Sequence, residues 1–205
     1  MDRHALGAAS KRRGNSLENE VSKQLSAWTG HVFRRSPASG AWSASQQFGV
    51  SADVITTWDS WPFIIECKFY NSGNWTIENL LSSNQHFPTW VAQAVREGHD
   101  NHAPFLLVFR RNRIHSFVLM PFSATIASDF DNYVVSRVYY TSEVTGNKES
   151  IRTITVKIDD LLKYSPDNFI KSYDKKWESK ISKEKVESKA PSIDSIMKSV
   201  DNLHI

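Results

Sequence analysis

The 205-residue chain contains a single cysteine, Cys67, which excludes an internal disulfide and a metal cage built from thiolates. A chain that forgoes covalent cross-links suits a reducing compartment, so a cytoplasmic setting is expected. No uninterrupted apolar run approaches the roughly 20 residues that cross a bilayer, and the start lacks the apolar segment of a secretory signal. No association with a membrane is therefore expected. Surplus charge is also scarce: Lys+Arg number 25 and Asp+Glu 22, a formal +3, so net charge by itself argues for no anionic partner. Internal repeats are missing. What remains is 40% apolar and 12% aromatic residues, the balance of one folded domain with a sizeable core plus appendages.

Charge is informative through its placement. Arg3, Lys11, Arg12, Arg13, Lys23, Arg34 and Arg35 crowd the first forty residues, against Asp2, Glu18 and Glu20. Such an imbalance suits a phosphate backbone, although a basic leader that merely aids solubility looks the same. Residues 1–14 are small, polar and basic, and read as a flexible arm. From Asn15 onward Leu17, Val21, Leu25 and Trp28 recur at helical spacing, with Asn15 or Ser16 as the cap and Gly30 as the stop. Glu18 borders the buried face; it either points at a cation or is one more acid near a helix start, where the helix dipole favours it. A short strand is expected over residues 31–35. Residues 36–49 lack any apolar period and form a long loop. Arg34 and Arg35 before it, its hydroxyls, and Trp42 near its tip would make a surface that holds a sugar-phosphate chain and stacks on a base. The plainer reading is a connector whose Trp42 packs back on the domain.

The chemistry concentrates in residues 51–69. Two β-branched apolar runs, 54–57 and 63–69, flank Asp59-Ser60, the pattern of a hairpin with a tight turn. Counting outward from that turn pairs Trp58 with Trp61 and sets Asp53 opposite Glu66. Like charges so opposed lie only about 4.5–5.5 Å apart at Cβ and repel, unless a cation reverses the sign. Strand alternation puts Lys68 on the face of Glu66 and sends Cys67 to the other. Two acids and an amine on one patch suit metal-assisted phosphodiester hydrolysis, in which Mg²⁺ takes carboxylate oxygens and water. Taken alone, Glu-x-Lys is as readily a pair of surface charges on a solvated strand.

Downstream, residues 84–98 predict a helix with Trp90, Val91, Ala94 and Val95 inward. Residues 103–109 and 114–120 predict a second hairpin around Arg110, Arg111 and Arg113, which either meet phosphate or form an exposed turn. Further strands are expected over 133–140 and 150–158. Residues 171–189 are a lysine-rich, mixed-charge segment. Beyond Pro191 a short amphipathic pattern, Ile193, Ile196, Met197, Val200 and Leu203, would dock on the domain, a second subunit or another protein. The expected organisation is an arm over 1–14, one folded domain over 15–165 with its core motifs in 14–120, and an extension over 166–205.

In order, Arg13-Gly-Asn-Ser-Leu-Glu18, Arg35 with Ser39-Gly40, Asp53-Val-Ile and Ile65-Glu-Cys-Lys68 resemble the motif set of the PD-(D/E)XK nuclease superfamily. The set is most similar to archaeal-type Holliday junction resolvases and their phage relatives. The resemblance covers roughly residues 12–120, and departs from many relatives at Ser51-Ala52, where they carry glycine or proline. It implies an α/β, restriction-endonuclease-like fold, a mixed central sheet flanked by helices, with a C-terminal extension. It also implies Glu18, Asp53 and Glu66 as ligands of Mg²⁺, for which Mn²⁺ would substitute, and Lys68 as the residue that positions or activates water. Arg13, Arg34, Arg35, Ser39 and Trp42 would contact DNA. A glutamine near the start of the following helix would lie beside the metal; Gln85 is the closer positional match and Gln93 the second. The implied activity is endonucleolytic cleavage at four-way or other branched DNA, with a homodimer placing two cuts symmetrically. The alternatives are a restriction-like or end-processing nuclease with the same site, a non-catalytic branched-DNA-binding protein, and a protein that interacts through its terminal helix without binding DNA.

Overall fold

A computed structural model describes residues 3–36, 52–70, 86–111, 114–173 and 181–182. Helix α1 (Arg3–Thr29) starts well before Asn15, so the cap expected at Asn15 or Ser16 lies inside the helix and the stretch read as an arm is helical from Arg3. Alanine, lysine and arginine favour the helix there without supplying an apolar period that would mark its start. The buried stripe, Leu17, Glu18, Val21, Ser22 and Leu25, begins only in the later turns. Gly30 ends the helix at a φ of 75°, its N–H donating to the Ser26 carbonyl at 3.0 Å. The Ser26 hydroxyl donates back to the Ser22 carbonyl (2.7 Å) and accepts from the Phe33 N–H (2.9 Å), which fixes the angle at which the chain enters the sheet.

Strands β1 (Phe33–Arg35), β2 (Val54–Thr56) and β3 (Ile64–Tyr70) form an antiparallel meander. The pairing of Val54 with Ile65 is the register counted from Asp59-Ser60, and the Trp61 N–H closes the turn on the Trp58 carbonyl at 3.0 Å. Helix α2 (His86–Asp100) then leads to β4 (Phe105–Arg111), which runs parallel to β3. Strand β5 (Phe117–Pro121) pairs antiparallel with β4. After the short α3 (Ala124–Ala127), β6 (Val134–Thr141) and β7 (Lys148–Lys157) form the last hairpin. Helices α4 (Ile158–Leu161) and α5 (Pro166–Lys171) follow, and β8 (Ile181–Ser182) adds to β7. The sheet order is β1-β2-β3-β4-β5-β7-β6, a mixed sheet flanked by helices.

Two cores lie on opposite faces of this sheet. Leu17, Val21 and Leu25 of α1 pack with Ile65, Cys67, Leu106 and Val108 on one, while Val91, Ala94 and Val95 of α2 pack with Phe105, Leu107 and Phe109 on the other. Strand β4, covered on both faces, accordingly reads as the continuous apolar run Phe105-Leu-Leu-Val-Phe109.

Phe169 is fully buried and Tyr173 nearly so, its hydroxyl donating to the Pro121 carbonyl at 2.7 Å. The packed body therefore runs past residue 165, the boundary expected from composition, because two aromatics inside a charged segment carry the packing. Phe169 stacks on Phe63 at 4.9 Å and meets Trp28 edge-on at 5.7 Å, while the Trp28 indole N–H donates to the Tyr164 carbonyl at 2.7 Å. These contacts clamp the end of α1 and the β2–β3 connection together. The amphipathic pattern at 193–203 lies outside the described residues. Among the described residues no helix is long and apolar enough to cross a membrane.

Candidate active site

Asp53 sits at the mouth of β2 with its main chain held from both sides. Its N–H donates to the Ile65 carbonyl (3.0 Å) and its carbonyl accepts from the Ser36 N–H (2.8 Å). Its carboxylate turns over β3, where Oδ2 accepts from the Cys67 N–H at 2.8 Å, serving as acceptor beside the Val54–Ile65 pair. One register position across lies Glu66, only 3% exposed. Lys68, on the same face of β3, reaches back so that Nζ donates to Glu66 Oε1 at 2.5 Å. The opposition of Asp53 and Glu66 and the shared face of Lys68 follow from strand alternation once the turn is placed.

Helix α2 contributes the next side chain. The Gln93 amide donates from Nε2 to Glu66 Oε1 at 2.7 Å, and its Oε1 accepts from Lys68 Nζ at 2.9 Å, closing a triangle of acid, amine and amide. One helical turn on, Glu97 Oε1 accepts from the same Nε2 at 2.9 Å. Glu97 is 3% exposed and is also met by Arg96 at 3.2 Å.

Burial pushes the Asp53 carboxyl up to about 6, aided by the negative charge of Glu18 and Glu97 and opposed by the Cys67 N–H and by Lys68. Burial, then Asp53, drive Glu66 well above the ordinary carboxylate range despite Lys68. For Lys68 burial works against the charge, but Glu66, Asp53 and Glu97 outweigh it and raise its pKa. The patch thus holds more negative charge than one ammonium neutralises.

Glu18, buried on α1, accepts from Arg35 Nε at 2.5 Å, so one expected metal ligand and one expected DNA contact meet each other across the α1–β1 junction. Gly14 lies one turn below, where an added Cβ would stand 3.8 Å from Glu18 Oε1. Arg34 is exposed on edge strand β1, and Arg13 is half-buried, its Nε without a hydrogen-bond partner among the described residues. Arg110 is tied to both carboxylate oxygens of Glu20 at 2.8 Å and lies over the Phe69 ring, which engages it within the protein. Ser39, Trp42, Gln85 and Arg113 lie outside the described residues. Among the described residues the glutamine beside Glu66 is Gln93, the second positional match. Glu97 was missed; its signal was an acid set among the inward positions Ala94, Val95 and Gly98.

The donor set fits a hard divalent cation. Asp53 and Glu66 offer adjacent carboxylates whose mutual repulsion a cation would relieve, and Glu97 Oε2 is buried with no hydrogen-bond partner among the described residues. Among the described residues no three His, Cys, Asp or Glu side chains gather into a metal-holding group, and Glu18, the third expected ligand, is paired with Arg35. Two carboxylates with water and phosphate oxygens are a usual way of holding Mg²⁺, which seldom has an all-protein cage.

An antiparallel three-strand meander, a helix leading to a fourth strand parallel to the third, and an aspartate facing Glu-x-Lys across the second and third strands define a PD-(D/E)XK nuclease of the restriction-endonuclease-like α/β fold. Residues 9–171 match the family model described as "Phage putative PDDEXK endonuclease", and the chain belongs to that family. No curated protein and no solved structure matches it. Membership points to nuclease activity, for which DNA would be the partner, and divalent metals are the cofactors such enzymes generally use.

Proposed function

We propose that this protein is a Mg²⁺-dependent endodeoxyribonuclease that cuts branched DNA, four-way junctions foremost, and acts as a homodimer in the cytoplasm of an infected cell. The observation that carries the reading is the convergence of Asp53, Glu66 and Lys68 on one patch across β2 and β3. Asp53 and Glu66, with Glu18 as the third acid, would hold the cation, which supplies charge for the phosphate and lowers the pKa of bound water. Lys68, kept protonated by the surrounding acids, would hold the attacking water or the phosphate oxygens, and Gln93 would keep Lys68 and Glu66 in register. Glu18 adds negative charge toward Asp53 and restrains Arg35, the candidate phosphate contact, alongside Arg13, Arg34, Ser39, Trp42 and Gln85.

Preference for junctions is supported by the ordered motif set running from Arg13 to Lys68. It would come from DNA shape and deformability rather than base contacts. Two symmetric nicks require two sites related by a two-fold axis, hence the homodimer. The test is a labelled four-way junction and a linear duplex of the same sequence, with and without Mg²⁺, using wild type and Asp53→Ala. Expected are paired nicks near the branch for wild type with Mg²⁺, and binding without cleavage for the variant. Equal rates on linear duplex would replace junction selectivity with a restriction-like or end-processing role. Undiminished cutting by Asp53→Ala would remove that residue from the chemistry.

A further inference from the structure

We propose that Glu97 is a positioning residue of the metal centre, acting on Glu66 and Lys68 through the amide of Gln93. A glutamine side chain has one donating and one accepting end, and which end faces which neighbour decides whether it joins or separates them. Here Nε2 donates to both Glu66 and Glu97 (2.7 and 2.9 Å), and Oε1 accepts from Lys68 (2.9 Å). A flipped amide would set its oxygen against two carboxylates and its N–H groups against an ammonium. Glu97 supplies the second acceptor that locks the orientation, from a position one turn along α2 that faces the same way.

The burial of Glu97 makes the same point independently. A carboxylate 3% exposed, with Oε2 unpartnered among the described residues, is costly where an apolar side chain would pack beside Ala94 and Val95. Arg96 offsets part of that cost at 3.2 Å, and is itself anchored by Glu143 at 2.6 Å on the β6–β7 connection. A chain of contacts thus runs from the protein surface through Arg96, Glu97 and Gln93 to Glu66. Groups that hydrogen-bond a metal's ligands orient them, and losing one typically costs about 10–100-fold in metal affinity or activity.

This inference rests on the metal-site part of the proposed function, and its test is read on cation binding, without DNA. Mn²⁺ is titrated calorimetrically into the full chain as wild type, Gln93→Met, Glu97→Met, the double variant and Glu97→Gln, with thermal melts to verify folding. Glu97→Ala takes the place of Glu97→Met should the latter not fold. Gln93→Met and Glu97→Met are each expected to weaken Mn²⁺ binding about tenfold or more, and the double variant no further, because both remove one device. Glu97→Gln keeps an acceptor oxygen for Gln93 and is expected to stay within about threefold of wild type. Single losses that multiply in the double variant, unaltered binding in Glu97→Met, or a Glu97→Gln as impaired as Glu97→Met would each overturn the proposal. A wild type that binds Mn²⁺ yet cuts neither junction nor duplex would instead sink the nuclease reading and leave the positioning role standing.

Discussion

Replacing Asp53 with asparagine should stabilise the metal-free protein increasingly as pH rises, while abolishing cleavage. The aspartate takes up its proton at about 6 in the folded protein against 3.8 for the free side chain. An acid whose folded pKa is raised contributes fully below its unfolded value and loses that contribution as pH climbs through the folded one. The shift of about 2 units corresponds to about 3 kcal/mol, all of it lost above about pH 7. Of this, the part falling between pH 5 and pH 8 spans about one unit, or about 1.4 kcal/mol. Asparagine retains an oxygen to accept from the Cys67 N–H but has no charge to repel Glu66, so its own stability lacks this term. The melting-temperature gap between variant and wild type should therefore widen in favour of the variant by roughly 3–6 °C from pH 5 to pH 8, at about 2–4 °C per kcal/mol for a chain of this size. The assay is thermal unfolding in EDTA across that range, repeated with Mg²⁺, which should raise the wild type at pH 8 and leave the variant unmoved. A gap that stays constant with pH, or widens the other way, would refute the claim that ionised Asp53 is held at a cost to the fold.

Phe169→Ala should cost about 3–5 kcal/mol in urea unfolding, since the ring is fully buried between Phe63 and Trp28. A loss under about 1 kcal/mol would contradict its place in the core. Gly14→Ala should raise stability by up to about 1 kcal/mol, because among the described residues the added methyl meets only Glu18 Oε1, at the ordinary distance of 3.8 Å. A fall in melting temperature would mean that the glycine is needed for closer approach than the free protein shows.

The register that sets Asp53 opposite Glu66 was legible because one turn, Asp59-Ser60, fixes every pair outward from it, and alternation then decides the face of Lys68 and Cys67. The start of α1 was not, since Arg3 to Gly14 favours a helix by propensity and offers no apolar stripe to reveal it. That Gln93 reaches Glu66 depends on how Val91, Ala94 and Val95 seat α2 against Leu107 and Phe109, a packing that spacing alone does not give. Glu97 escaped for a related reason: an acid beside an apolar stripe looks like surface until a partner from another element is seen. Glu18 and Arg35 were each legible as site residues, but their pairing, which joins α1 to β1, depends on a partner from another element, as does the burial of Phe169 and Tyr173 within a charged stretch.

Cys67 gives the molecule a built-in reporter. Its amide anchors Asp53, its side chain is buried among Ile65, Leu106 and Val108 on the α1 face, and burial pushes its thiol well above the usual range. Since no other thiol competes, the speed at which a colorimetric disulfide reagent labels the native protein times how often the floor beneath the carboxylates opens. Divalent cations bound above that floor should slow the labelling, turning the chain's lone sulfhydryl into a stopwatch for occupancy of the site.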